Sequence, residues 1–212
     1  MANKSGKAYG LTTLCPIVNE ALGKQSFSAL TRDRLEKLPI HEKSPLAKVP
    51  NTYLCRFFVL NDVFFEGKPA NYEHLRSKYL VFTSNFHGDL DTYLRGMWQS
   101  AQQDVKDIWR FCVGFSKVND ADSFIDYIKK CQVKTTLFFN GSTDDPLHEQ
   151  LKSLYLKQEL SKFVYANQGK KPEDLQSAFK EFIERVQPTN LNGPTWRCGA
   201  STLESAVTHN EV

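Results

Sequence analysis

The sequence predicts an α+β domain, a ferredoxin-like antiparallel sheet in βαββαβ order, with two extra helices at its C-terminal end. Three observations lead there. Four apolar stretches of strand length lie at 9–17, 53–60, 79–86 and 133–140, and helical patterns fall after the first and third of them. The segment after residue 89 carries apolar residues every three or four positions for about six turns. Prolines at 146 and 172 open two more helical patterns beyond the last strand. With 212 residues, 41% of them hydrophobic, the chain is long enough to fill one core without a disulfide or metal staple.

YGLTTLCPI at 9–17 is the first strand, with Leu11, Thr13, Cys15 and Ile17 on one face. Turn formers from Asn19 to Gly23 lead to Ser26, an N-cap for a helix over about 27–38 in which Phe27, Leu30, Leu35 and Leu38 keep helical spacing. Pro39, Pro45 and Pro50 then impose an irregular connection. YLCRFFVL at 53–60 is the strongest strand, apolar on both faces except at Arg56, which predicts that both faces are covered. YLVFTSNF at 79–86 follows a polar loop and pairs antiparallel with it.

His87-Gly88-Asp89 opens the long helix, where Asp89 and Asp91 suit the positive end of the dipole and Gly114 is the predicted stop. A short helix over about 120–130 buries Phe124, Ile125 and Ile128, and VKTTLFFN at 133–140 is the fourth strand. The domain therefore runs over 8–187, with a core at 8–140 and C-terminal helices within 146–187. Residues 188–212 have no periodicity and read as a loose tail.

Several function classes fall away on composition. Twenty-seven basic and 24 acidic residues are interspersed to a net +3, which gives nucleic acid no basic face. RSKYLVFTS at 76–84 is the nearest approach to an RNA-binding strand motif, and it lacks the required glycine and second aromatic. No apolar run reaches the roughly 18 residues of a membrane span, and MANKSGKAYG lacks a signal peptide's apolar stretch. Five cysteines, an odd number with no CxxC pair, read as free thiols of a reducing cytoplasm. Walker, GxSxG and paired-carboxylate signatures are absent.

Arg56 is the most informative residue. A guanidinium between Leu54 and Phe58 needs a partner: either the carboxylate or phosphate of a small ligand, or an internal acid such as Asp62, Asp89 or Asp91. Lys48, on a stretch stiffened by Pro45 and Pro50, is either a second cation beside Arg56 or a solvated lysine. Asn85, with Ser84, either joins an anion site at the helix start or caps the turn there. His87 and His41 are the only histidines near these segments, and nothing resembling HxH or HExxH spacing accompanies them. Twenty-six aromatic residues put rings on both faces of the sheet, so the face away from the helices needs a second subunit, the C-terminal helices or a ligand over it.

SPLAKVPNTYLCRFFVL (44–60) and YLVFTSNFHGDLDTYL (79–94) resemble a widespread group of uncharacterised bacterial proteins. In that group a segment like SP-F/L-A-R-x-P-x-T-H-F-A-R enters the second strand and S-N-F-D-G-D opens the long helix. The resemblance spans about residues 8–140. It implies a fold similar to the dimeric α/β-barrel superfamily, whose relatives include antibiotic-biosynthesis monooxygenases, chlorite dismutases and dye-decolorising peroxidases. By that analogy the chain would be an oxidoreductase or cyclase acting on an apolar substrate with an anionic end, with haem as one cofactor open to it; His87 and His41, as the histidines nearest these segments, are the candidate haem or metal ligands. Tyr53 stands where the group has histidine, Lys48 where it has arginine and His87 where it has aspartate. Two readings follow: a small-molecule site at Arg56, Lys48 and Asn85, or a non-catalytic module whose open sheet face forms a homodimer or binds a protein.

Overall fold

The structure is a computed structural model that describes residues 3–63, 67–69, 74–142 and 144–186. The chain divides between Asp144 and Asp145 into two compact units. The first holds β1 (Lys4–Ser5), β2 (Ala8–Ile17), β3 (Ala21–Leu22), β4 (Gln25–Ser26), α1 (Phe27–Glu36), β5 (Thr52–Leu60), β6 (Lys78–His87), α2 (Leu90–Trp109) and α3 (Ala121–Cys131). The second holds α4 (Leu147–Ala166) and α5 (Pro172–Val186). The tail expected at 188–212 lies outside the described residues.

Four strands make an open antiparallel sheet in the order β1-β2-β6-β5, while β3 and β4 form a separate two-residue hairpin. Among the described residues no barrel is closed. Period-two alternation sends Leu11, Thr13, Cys15 and Ile17 of β2 to one face together with Leu80, Phe82, Ser84 and Phe86 of β6, and all of them are buried. The helices cover that face: α1 lies on β5 and β6, α3 on β2, and α2 packs against both. Trp109 of α2 sits at the centre, edge-on to Phe57, Phe82 and Phe124 at ring distances of 5.4, 5.5 and 5.7 Å.

Local signals place the helices as expected. Ser26 accepts from Ala29 N at the start of α1, Asp89 from Thr92 N at the start of α2, and Asp120 with Ser123 forms a reciprocal capping box on α3. Gly114 does not end α2. The helix stops at Arg110, and Gly114 takes a φ of 77° to start the separate turn Phe115–Lys117.

The predicted fourth strand at 133–140 does not form. Gln132 bridges Thr13 and Val133 N–H donates to Thr12 O at 2.8 Å, and the pairing ends there. The reason is competition for the free edge of β2. β1 pairs with Ala8 and Tyr9, the Asn3 amide donates to Gly10 O at 2.9 Å, Val113 N–H donates to Pro16 O, and Cys112 bridges Ile17. A full-length strand has no continuous row of groups left to bond.

The second unit is a pair of helices joined through Gly169, which takes a φ of 75°. Phe163, Phe179 and Phe182 bring their rings within 4.9–6.0 Å of one another. Glu159, the buried carboxylate of α4, accepts from Lys162 at 2.9 Å and from Arg185 at 2.8 Å. Pro172 is the first residue of α5, whereas Pro146 stands at the cap position just before α4.

Candidate functional site

The opposite face of the sheet carries the candidate site. Strand alternation and register arrange it in three rows across β2, β6 and β5: Gly10–Asn85–Leu54, Thr12–Thr83–Arg56 and Leu14–Val81–Phe58. The first two rows, with Thr135 and Phe138 from the stretch after α3, line a cavity of about 150 Å³. Asn3 holds that stretch in place, donating to Thr135 Oγ1 at 3.0 Å and accepting from Thr135 N–H. Phe138 closes the end of the cavity over Gly10, where the absence of a side chain leaves room for its ring.

Arg56 is exposed on this face, as are Leu54 (55%) and Phe58 (47%), so the expectation that β5 is covered on both sides is corrected. Its Nε–H donates to Thr83 Oγ1 across the strand pair at 3.4 Å. No ion pair to Arg56 occurs among the described residues. The three acids considered as partners are engaged elsewhere: Asp62 with His74 at 2.7 Å, Asp89 with the start of α2, and Asp91 with Lys129 at 2.7 Å. Backbone N–H groups of Val63, Thr92 and Leu75 hold the Asp62 and Asp89 carboxyls below their ordinary value.

Asn85 joins Arg56 in the cavity wall, two residues along the same face from Thr83. It is a strand residue, and Asp89 performs the capping considered for it. Ser84 points the other way, into the core, where its hydroxyl lies 2.8 Å from Tyr93 OH. Lys48 is not part of this set: it ends the short turn Pro45–Lys48, which packs on α2. His87 ends β6 with Nε2 3.1 Å from Asp144 O, and His41 sits exposed on the turn His41–Lys43. Neither histidine lines the cavity.

Haem does not fit these residues. The cavity is below the roughly 300–1,000 Å³ of drug-sized ligand pockets, and no histidine faces it. Among the described residues no group of three or more His, Cys, Asp or Glu side chains is placed to hold a metal ion.

Thr12, Thr83, Thr135, Gly10 and Phe138 escape a reading of the sequence alone. Thr12 and Thr83 had one usable signal, the alternation that put Thr13 inward and so its neighbour outward. Nothing local to residues 135–138 indicates that they fold over β2. The polar lining groups of the cavity are hydroxyls, an amide and a guanidinium, a set that offers hydrogen bonds and one fixed positive charge beside the apolar Leu54 and Phe138. The chain matches no protein-family model, no curated protein and no solved structure.

Proposed function

We propose that the open face of the sheet binds a small molecule with an anionic end, held by Arg56 with Thr12, Thr83 and Asn85 and resting its apolar part on Leu54 and Phe138. The observation that carries this reading is Arg56 itself: a guanidinium on a concave surface, ringed by hydroxyls, with no carboxylate beside it among the described residues. Its planar fork suits a carboxylate or phosphate oxygen pair. Among the described residues the lining holds no histidine, carboxylate or thiol, so the side chains present suit binding and orienting a ligand rather than moving protons. The cavity suits a short organic acid.

The domain is read as ferredoxin-like. Its order of long elements and the contact of Gln132–Val133 with Thr12–Thr13, where a fourth strand would lie, support that reading. The resemblance to the bacterial group stands on the two segments quoted above and belongs to the same proposal. A second reading has its own observation. The row Leu14–Val81–Phe58 leaves two exposed apolar side chains beside the cavity, a strip that a second copy of the chain would cover.

Isothermal titration calorimetry with benzoate, octanoate and inorganic phosphate tests the first reading. Saturable binding of at least one, abolished in folded Arg56→Leu, supports it. Binding by none, or binding that Arg56→Leu leaves unchanged, overturns it. Light scattering of the same samples tests the second reading, for which a dimer disrupted by Phe58→Glu is the expected result.

A further inference from the structure

A separate cluster lies on the helix side of β2, where three cysteines from distant parts of the sequence meet. Cys15 is fully buried on β2, between the bridges that join Thr13 to Gln132 and Ile17 to Cys112. Those bridges bring Cys112, from the turn after α2, and Cys131, the last residue of α3, to either side of it. The Cys15 S–H donates to Thr13 Oγ1 at 3.8 Å, and Cys131 lies near enough for the two thiols to shift each other's protonation. Trp109 and Tyr127, each more than nine-tenths buried, direct an indole N–H and a phenol O–H to the same cluster, and neither atom has a hydrogen-bond partner.

Two orphaned donors facing sulfur are informative. A neutral thiol is a weak acceptor, whereas a thiolate or a sulfenate oxygen is a strong one. The donors are therefore satisfied when a sulfur is ionised or oxidised, which makes the cluster a prepared site for that state. Access is equally asymmetric. Cys131 and Tyr127 line a cavity of about 480 Å³, with Lys117 and Lys130 beside them and Asp126 as the opposing charge, while Cys15 and Cys112 stand behind its wall.

We propose that Cys131 and Cys15 form a redox-active dithiol, in which Cys131 reacts with hydrogen peroxide reaching it through this cavity and Cys15 resolves the product as an intramolecular disulfide. The Cys131 thiolate attacks one peroxide oxygen and the O–O bond breaks. The leaving hydroxide takes a proton and departs as water, and Cys131 becomes a sulfenic acid. Cys15 sulfur then attacks the sulfenic sulfur, and the S–O bond breaks. A second water leaves with the Cys15 proton, so two thiols have lost two electrons and one peroxide has become two waters. A low-molecular-weight dithiol reverses the change.

The protonation pattern agrees with Cys131 as the thiol that meets peroxide. The neighbouring Cys15 thiol draws Cys131 below its ordinary value against the opposing effect of burial. The pairing with Cys131, with burial, holds Cys15 far above its ordinary value, and burial pushes Cys112 up to about 12. The reactive thiol is the one on the cavity.

The test is peptide mapping of the native full-length protein after one equivalent of hydrogen peroxide, without reduction. The expected result is a loss of about 2 Da and a Cys15–Cys131 linked peptide, reversed by dithiothreitol and retained in Cys112→Ser. In Cys15→Ser the expected product is a dimedone adduct on Cys131. Because Cys15 is buried and its variant is at risk of misfolding, the wild-type map decides. A link through any other cysteine, Cys198 included, overturns the proposal. So does alkylation of Cys131 by iodoacetamide no faster than that of Cys55 at pH 7, or a dimedone adduct on wild-type Cys131 with no link.

Discussion

Phe138 packs on Gly10 so closely that a Cβ on the glycine would lie 2.8 Å from the ring's Cδ2. This one contact joins the stretch after α3 to the first part of β2 and closes one end of the cavity that Arg56 lines. Gly10→Ala is therefore expected to displace the ring and widen the cavity, at a cost of about 1–3 kcal/mol from overpacking. Urea denaturation measures the cost, and tryptophan-independent ring shifts in the NMR spectrum of Phe138 report the displacement. An unshifted ring at unchanged stability would show that the contact is slack.

Arg56→Gln removes the fixed charge from an exposed position without breaking any ion pair seen among the described residues. Its stability should stay within about 0.5 kcal/mol of wild type, while affinity for a carboxylate ligand falls about tenfold or more, the loss of one charge-assisted bond. A destabilised variant instead would mean that the guanidinium supports the fold.

Tyr93 spans the core between two hydroxyls, with Ser84 Oγ at 2.8 Å and Thr52 Oγ1 at 3.2 Å, and its ring stacks on Phe86 at 3.7 Å. Tyr93→Phe keeps the stack and strands the buried Ser84 hydroxyl. The expected loss is about 1–3 kcal/mol, and the double variant with Ser84→Ala should recover part of it, because the stranded hydroxyl is then gone. Thermal denaturation of the three variants reads the cycle.

Acid should weaken the first unit through its helix caps. Asp89, and likewise Asp120 and Asp62, have folded-state values below the ordinary 3.8, in each case chiefly because backbone N–H groups donate to the carboxylate. Such groups bind fewer protons folded than unfolded, so their stabilisation is full above about pH 4 and is lost as the pH falls through the depressed values. Asp89→Ala should cost about 1 kcal/mol at pH 7 and flatten the acid limb of the stability curve. Urea midpoints between pH 7 and pH 2.5 check both.

In the second unit the balance at Glu159 is asymmetric. Its carboxylate is buried, whereas Lys162 and Arg185 are both more than half exposed. Arg185→Ala should destabilise the helix pair by about 1–3 kcal/mol, since it leaves a buried charge with one partner fewer. Glu159→Leu should be close to neutral, because the two cations it frees are already in water. Comparing the helical melting of the two variants separates these outcomes.

Much of this architecture was written in short-range pattern. Alternation located β2, β5 and β6, and Ser26 and Asp89 marked two helix starts, since strand faces and caps depend on residues a few positions apart. The sheet face bearing Arg56 and Asn85 follows from the same alternation. What local pattern could not convey is where distant segments compete. VKTTLFFN has the length and β-branched, aromatic composition of a strand, yet β1, Asn3, Val113 and Cys112 already occupy the edge of β2 that it would need. The same long-range packing turns Arg56 toward an open face, moves Lys48 to the side of α2, lays Phe138 over Gly10 and gathers Cys15, Cys112 and Cys131 from positions nearly 120 residues apart. Hydrogen bonds to a sheet edge and thiol contacts are satisfied by whichever segment the folded chain delivers, and that choice is made by the whole core at once.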